Sequence, residues 1–224
     1  MPEPLVSVVI PAFDAEKFVG EAIESSLAQT YPQVETIVVD DGSGDRTAAV
    51  ASEIEGITLI RQQNRGVAAA RNAGVAAGTG EFVAFLDADD AMLPRRLEVQ
   101  VGHLLANPEI GYVLAMQEVF VEDGAPLPFW ARGEAPTIYP MSMVMSRRLF
   151  DEIGGFDEEL RGGNDDADLL MRLSEAEVPF ARLPDVLVRR RIHATNVTQD
   201  EVRAKTAVFE LFKRRIDRHR AGGA

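Results

Sequence analysis

Short β-branched segments alternate with helix-patterned segments through the first 107 residues of the chain. This alternation predicts strands at 5–10, 35–39, 57–61 and 81–86, and helices at 15–29, 45–54, 66–78 and 94–107. Strands and helices that take turns at this spacing form βαβ units, whose crossovers require a parallel sheet with helices on both faces. We therefore predict an α/β fold with a doubly wound, mostly parallel sheet.

The pattern becomes less regular after residue 108. It predicts strands at 110–121, 141–146 and 186–192, and helices at 147–156 and 165–177, the first of them ending at Gly154. Between the first two of these strands, residues 122–140 are rich in Pro and Gly and form no recognisable element. A loop of that length inside a compact domain is usually functional or mobile.

The composition restricts the chemistry open to this chain. With no Cys among 224 residues, disulfides, Cys-ligated zinc, iron–sulfur clusters and a thiol nucleophile are excluded. A net charge of −13 argues against a nucleic-acid partner, because phosphate binding by proteins depends on a surplus of Lys and Arg. The sequence has no apolar run of about 18 residues and no signal-peptide pattern at its start, so we expect a cytoplasmic protein.

The C-terminal segment differs in charge from the rest of the chain. Residues 189–224 carry ten Lys or Arg against four Asp or Glu. A helix predicted at 199–219 would bring Phe209 and Phe212 near one face and basic residues onto the other. Two interpretations stay open: a solvated helix that packs on the domain, or weak peripheral contact with the anionic inner face of the membrane.

Three predicted strands end in residues that suit a binding site. Phe13 follows the first strand, DDGSGD at 40–45 follows the second, and DADD at 87–90 follows the fourth. In parallel α/β sheets, ligands bind beyond the carboxyl ends of the strands. Residues 40–45 are also typical of an ordinary turn, and this interpretation stays open. The DADD segment gathers oxygens that suit Mg²⁺ or Mn²⁺ held jointly by protein and substrate phosphates.

Five linked motifs extend this interpretation. They read VSVVIPAFDAEKF, IVVDDGSGD, NRGVAAARNAG, GEFVAFLDADD, and GGFDEEL together with DDADLLMRL. In this order and spacing, from Val6 to about residue 196, the chain resembles the family 2 glycosyltransferases, which are inverting enzymes of the GT-A fold. The resemblance implies one GT-A domain over 1–198, followed by a basic C-terminal helix over 199–224. Within the domain, residues 1–107 would form a Rossmann-like half that binds a nucleotide-sugar, and residues 108–198 a smaller acceptor and catalytic half.

The resemblance also implies the ligands and the residues that bind them. The donor would be a nucleotide-diphospho-sugar, with UDP-linked sugars favoured and dTDP- and GDP-linked sugars left open, and the cofactor would be Mn²⁺ or Mg²⁺. It assigns the nucleotide-sugar to Pro11, Ala12, Phe13, Asp41, Asn64, Arg71 and Asp87, and the metal to Asp89, Asp90 and His193. Because a lone His is often a surface or capping residue, that alternative stays open for His193.

Asp166 is the expected catalytic base and Asp165 a supporting acceptor contact, again by resemblance. An inverting transfer needs a carboxylate that takes the proton of the attacking hydroxyl. Both residues stand at the predicted start of a helix, where acids also cap backbone N–H groups and where the helix dipole lowers a carboxylate pKa. The sequence therefore predicts where the base lies, but it also predicts a lowered pKa, which would make the carboxylate a weaker base.

Two other functions remain alternatives. A sugar nucleotidyltransferase would carry a Gly-rich phosphate loop after the first strand, whereas this chain has no Gly before Gly20. A non-catalytic nucleotide-sugar binding module would lack the late acid pair. The chain also lacks the Q-x-x-R-W motif of processive synthases, and its one Trp is Trp130. We therefore expect transfer of a single sugar to a discrete acceptor of surface polysaccharide, glycolipid or secondary-metabolite synthesis.

Overall fold

A computed structural model describes residues 3–122, 124–125, 137–138, 140–160 and 164–193 of the chain. Residues 194–198, the predicted helix at 199–219 and Trp130 lie outside this part. The hypotheses about the basic C-terminal helix and the end of the domain at residue 198 therefore stay predictions.

The described residues form nine strands and six α-helices. In chain order these are β1 Val6–Ala12, α1 Val19–Leu27, β2 Val34–Asp40, α2 Thr47–Ser52, β3 Ile57–Arg61, α3 Val67–Ala77, β4 Phe82–Phe85, β5 Ala91–Met92, α4 Arg96–Ala106, β6 Tyr112–Val121, β7 Thr137–Ile138, a 3-10 turn Pro140–Ser142, β8 Val144–Ser146, α5 Arg147–Glu152, α6 Asp165–Glu175 and β9 Phe180–Ile192. The strands and helices predicted within this part of the chain are confirmed to within a few residues. The two-residue strands β5 and β7 were not predicted, and β9 begins six residues before its predicted start.

All nine strands belong to one sheet, in the order β3-β2-β1-β4-β8-β6-β9-β5, with β7 pairing with β6. The first four strands in this order are parallel. After them, β8 runs antiparallel to both β4 and β6, while β9 runs parallel to β6. The prediction of a parallel α/β sheet is confirmed for the first half of the chain, and the second half adds a mixed extension to the same sheet.

Two hydrophobic cores cover the two faces of the parallel half. Val6, Val8 and Ile10 of β1 pack into one core with α1 and α4, whereas Val9 belongs to the other core, with α3 and α6. Alternate residues of a strand point to opposite faces, so a strand covered on both sides is apolar throughout. This explains why β1 is apolar at nearly every position, with the buried Ser7 as an exception, rather than alternating.

The sheet brings the predicted site residues to one edge. Because β1, β2 and β4 are parallel neighbours, their carboxyl ends lie side by side. The strand β5, directly after the DADD segment, pairs antiparallel with β9 through Ala91 and Arg189. This pairing places the end of β9, and His193 directly after it, next to the acidic turn.

Candidate active site

The exposed ring of Phe13 stands at the end of β1, on a loop that is held by hydrogen bonds. Phe13 is 52% exposed, whereas Pro11 and Ala12 are buried within β1. The amide of Asp14 donates to Ser43 Oγ at 3.0 Å, and the Gly44 amide donates to Asp14 Oδ1 at 2.8 Å. Of the three residues predicted to line the nucleoside pocket at this point, Phe13 is the one whose side chain a ligand can reach.

The Asp41 carboxylate organises the loop between β3 and α3. It is buried, and its Oδ1 accepts from Gln62 Nε2 at 2.7 Å and from the Arg65 amide at 2.9 Å. Its Oδ2 accepts from the Gly66 amide at 2.8 Å. The predicted contact of Asp41 with a nucleobase would therefore add to a supporting role that the carboxylate already has.

Gly42 allows the loop after β2 to approach the loop after β3. It has φ +77°, and a Cβ at this position would lie 2.8 Å from the backbone nitrogen of Asn64. Such a contact excludes a side chain, and the positive φ is one that Gly adopts without strain. Asn64 is exposed in the same loop. Phe13, Asp41 and Asn64 thus belong to adjacent loops at one edge of the sheet.

The DADD segment forms an acidic turn, residues 87–90. The Asp90 amide donates to the Asp87 carbonyl at 3.0 Å, and the carboxylates of Asp87 and Asp89 are partly exposed. The Asp90 side chain is buried and accepts a hydrogen bond from the Arg191 amide at 2.8 Å. Burial, together with the neighbouring carboxylates of Asp89 and Asp87, raises the pKa of Asp90 well above its usual range. The Asp90 carboxyl group thus holds β9, whereas the carboxylates of Asp87 and Asp89 are the ones that a ligand can reach. The metal-binding role of Asp89 and Asp90 stays a prediction.

Asp89 and His193 lie close together, although 104 residues separate them in the sequence. Their Oδ2 and Nε2 atoms are 3.0 Å apart, and the His193 ring packs against Phe18 with 4.5 Å between centroids. Among the described residues, no group of three or more His, Asp or Glu side chains is arranged to hold a metal ion. Two protein ligands, the Asp89 carboxylate and the His193 imidazole, are too few to enclose a divalent cation. They fit a cation whose remaining ligands are substrate phosphates.

Arg71 joins the acidic turn to the start of α6. It is 4% exposed, its Nη2 donates to Asp87 Oδ1 at 2.6 Å, and its Nη1 donates to Asp165 Oδ2. The guanidinium carbon lies 5.3 Å from the centroid of the Phe156 ring. Asp87, predicted for the donor side, and Asp165, predicted for the acceptor side, are thus connected through the buried Arg71 guanidinium.

Asp166 stands beside this ion pair at the first turn of α6, partly buried. Burial and the neighbouring Asp165 carboxylate raise the pKa of Asp166 to about 6, although the charge of Arg71 opposes them. The direction is opposite to that expected from a helix N-terminus, because burial and the adjacent charge outweigh the dipole. A carboxylate with this pKa is ionised at pH 7 and is more basic than an exposed one, as general-base catalysis favours.

The loop before α6 is fixed by two side chains whose roles the sequence did not indicate. Asn72 donates to the Phe156 carbonyl at 2.9 Å and accepts from the Phe156 amide at 2.9 Å. Arg172 donates to the carbonyls of Ile153 and Gly155 at 2.6 and 2.7 Å. Asn72 directly follows Arg71 in the motif NRGVAAARNAG, and Arg172 lies in the motif DDADLLMRL. The motifs therefore include both residues but do not indicate which groups they contact.

A sheet of this topology, with an acidic turn after β4 and an acid pair at the start of a later helix, defines a GT-A type glycosyltransferase. Residues 7–154 match the family model described as Glycosyl transferase family 2. The chain belongs to this family of enzymes, so the resemblance noted from the motifs is confirmed. No helix among the described residues is long and apolar enough to cross a membrane.

Relatives and solved structures agree with this assignment. An uncharacterized glycosyltransferase of Rickettsia typhi is 31% identical over 237 residues, covering 95% of this chain and 73% of that protein. Chondroitin synthase of Pasteurella multocida is 27% identical over 210 residues, covering 87% of this chain and 21% of that protein. The chain thus spans most of one relative and about a fifth of the other.

Two solved structures share the fold. A mannosyltransferase from Pyrobaculum calidifontis, in complex with GDP-Man and Mn²⁺, has a TM-score of 0.74 at 22% identity, covering 96% of this chain and 65% of that one. TarS 1–349 of S. aureus, in complex with UDP-GlcNAc, has a TM-score of 0.71 at 21% identity, covering 87% of this chain and 61% of that one. At these identities the likeness shows the fold, and this chain spans less than two thirds of either structure.

Proposed function

We propose that this protein transfers one sugar from a nucleotide-diphospho-sugar to a hydroxyl group of a discrete acceptor, with inversion and with Mn²⁺ or Mg²⁺. The observation that carries the proposal is the buried Arg71, which bonds to Asp87 of the acidic turn and to Asp165 at the start of α6. A nucleotide-sugar enzyme needs these two regions close together, because the sugar carbon reacts between the diphosphate and the base.

Two findings support a nucleotide-sugar donor. Phe13 offers an exposed ring face at the carboxyl edge of the sheet, where nucleotides bind in folds of this kind. Structures with the same fold hold UDP-GlcNAc and GDP-Man. We favour a UDP-linked donor, and a donor panel decides directly between uridine, thymidine and guanosine. The acceptor classes proposed are surface polysaccharide, glycolipid and secondary metabolites.

Asp89 and His193 are the residues proposed to hold the cation, next to Asp87. When bound, a divalent cation would supply Lewis-acid stabilisation of the negative charge on the departing nucleoside diphosphate. The role proposed for the buried Asp90 carboxyl group is to fix the turn to β9 through the Arg191 amide.

Asp166 is proposed to act as the base. The acceptor oxygen attacks the anomeric carbon from the face opposite the diphosphate, and the bond to the diphosphate oxygen breaks with its electron pair leaving on that oxygen. Asp166 takes the proton of the attacking hydroxyl. Burial and the adjacent Asp165 carboxylate, which pairs with Arg71, raise the pKa of Asp166.

The test is release of nucleoside diphosphate from a panel of UDP-, dTDP- and GDP-sugars, with Mn²⁺ and with EDTA. We expect one donor class to react and EDTA to stop the reaction; full activity in EDTA would contradict metal dependence.

Asp89→Asn should abolish metal-dependent donor binding while the protein stays folded, because the partly exposed side chain contributes charge rather than packing. Asp151→Asn, on an exposed position of α5, is the matched control. Addition of several sugars to one acceptor would contradict single transfer.

A further inference from the structure

Arg191, near the end of β9, contacts the acidic turn at two points. Its backbone amide donates to Asp90 Oδ1 at 2.8 Å, and its side-chain Nε donates to the Asp89 carbonyl at 3.0 Å. The residue is 8% exposed. The side chain therefore holds the peptide group of Asp89, the residue whose carboxylate is proposed to meet the cation.

The Arg191 guanidinium is itself fixed from two other elements. Its Nη1 donates to Glu122 Oε1 at 3.1 Å, directly after β6, and its Nη2 forms an ion pair with Glu21 on α1. Three segments that are distant in sequence thus meet at one side chain. A planar guanidinium can donate in several directions at fixed angles, which an ammonium group cannot do.

Aromatic contacts connect the same guanidinium to the second proposed ligand. It lies 4.5 Å from the ring centroid of Phe120 and 5.1 Å from that of Phe18. The Phe18 ring in turn packs against the His193 ring, which lies 3.0 Å from Asp89. Arg191 therefore bonds to the backbone of one proposed ligand and supports the ring that packs on the other.

We propose that Arg191 is a positioning residue for the cation site, setting the separation of the Asp89 carboxylate and the His193 imidazole. This inference rests on the metal dependence proposed above. Divalent cations such as Mg²⁺ demand near-ideal coordination geometry, so ligands held at the wrong separation bind them weakly. Residues that orient metal ligands typically change metal affinity by about 10–100-fold when they are replaced.

Arg189 provides a matched control on the same strand. Its guanidinium also lies over the Phe120 ring, at 4.7 Å, and its Nε pairs with Glu118 at 2.9 Å. Neither of these contacts involves the acidic turn. Arg189→Lys therefore makes the same chemical change as Arg191→Lys, in the same stack, without removing a bond to Asp89.

The experiment measures the Mn²⁺ dissociation constant of the full chain by EPR titration, with UDP and with GDP and no acceptor. We expect Arg191→Lys to raise this constant by about 10–100-fold and Arg189→Lys to change it by less than about twofold. We also expect excess Mn²⁺ to restore the turnover of Arg191→Lys. A purely structural role would lower the melting temperature and leave the Mn²⁺ affinity of the folded protein unchanged, which would overturn the proposal.

Two outcomes separate this inference from the function on which it rests. If the wild-type chain binds no Mn²⁺ with either nucleotide, metal dependence fails and this inference fails with it. If the wild type binds Mn²⁺ and Arg191→Lys binds it equally well, this inference alone is overturned. Should Arg191→Lys not fold, Glu21→Gln removes one ion pair from the guanidinium at a half-exposed position. We expect it to weaken Mn²⁺ binding by about two- to fivefold, and unchanged affinity in this variant would also overturn the proposal.

Discussion

Replacement of Asp166 by Asn removes an ionisable group whose charged form the fold disfavours. Burial and the Asp165 carboxylate raise the pKa of Asp166 to about 6, whereas an Asp in an unfolded chain has a pKa of about 3.9. Between these two pH values, the folded protein retains a proton that the unfolded chain has released. The free energy of unfolding therefore falls as the pH rises through this window, and the loss is nearly complete by about pH 7.

The size of the effect follows from the two pKa values. A difference of about two pH units at about 1.36 kcal/mol each gives about 3 kcal/mol, an upper value because the residue is only partly buried. We therefore expect Asp166→Asn to stabilise the protein by about 1–2 kcal/mol at pH 8. In a domain of this size that corresponds to a rise in melting temperature of about 2–8 °C. At pH 5 about half of the gain should remain, since this pH lies midway between the two pKa values.

The same substitution should remove catalysis. We expect Asp166→Asn to keep metal and donor binding and to lower transfer at least about 100-fold, the lower limit for loss of a general base. In the wild type, kcat/KM should fall about tenfold per pH unit below pH 6 as Asp166 takes up a proton, and this dependence should be absent from the residual activity of the variant.

Melting curves at pH 5 and pH 8 and a pH–rate profile test both parts together. A variant less stable than the wild type at pH 8 would refute the environment inferred for Asp166. Near-normal turnover of Asp166→Asn, with loss in Asp165→Asn, would show that the base is the other member of the pair. Activity in both variants would mean that the start of α6 lies outside the catalytic site.

Two further substitutions test the loops at the carboxyl edge of the sheet. Phe13→Ala should weaken nucleoside diphosphate binding by about 10–100-fold in calorimetric titration, because stacking of a base on an aromatic ring contributes about 1–3 kcal/mol. Phe13→Tyr should retain the affinity, and neither change should alter the melting temperature, since the residue is 52% exposed. Gly42→Ala should lower the free energy of unfolding in urea by about 1–3 kcal/mol, because φ is +77° and the new Cβ would lie 2.8 Å from the Asn64 nitrogen. Gly102→Ala, in α4 with no atom within 4 Å of the new Cβ, is the control and should stabilise by up to about 1 kcal/mol; equal effects of the two changes would refute the role of Gly42.

The parallel half of the fold was predictable because its signals are local. Buried strands read as apolar runs, and helices read as apolar residues at helical spacing. In the mixed half such signals are incomplete, since they predict β6, β8, α5 and α6 but not all of the other strands. β5 consists of Ala91 and Met92 alone, too short to show a period. β9 contains Pro184, which favours the end of a strand in a sequence, and the structure accommodates it where the register with β6 shifts between Leu114 and Met116.

The location of the candidate site was predictable where its residues follow strands directly, and the contacts between distant segments were not. Phe13, Asp41 and the acidic turn come immediately after β1, β2 and β4, so the strand pattern located them. Arg191 meets Asp89 across 102 residues, and in the sequence it appeared only as part of a basic run. Nothing local distinguishes it from Arg189, because the partners that separate the two residues belong to other elements.

The pKa of Asp166 shows why an assignment made from motifs does not by itself describe the chemistry. From the sequence, two acids at a helix N-terminus predict lowered pKa values for both. In the structure Arg71 bonds to Asp165, while burial and the repulsion of that neighbour raise the pKa of Asp166 against the opposing charge of Arg71. Adjacent carboxylates in unlike surroundings have different basicities, and such a difference is how enzymes assign separate roles to paired acids. The surroundings of Asp166 thus include the pair of Arg71 and Asp165, which joins residues 94 positions apart in the chain and which no local pattern indicates.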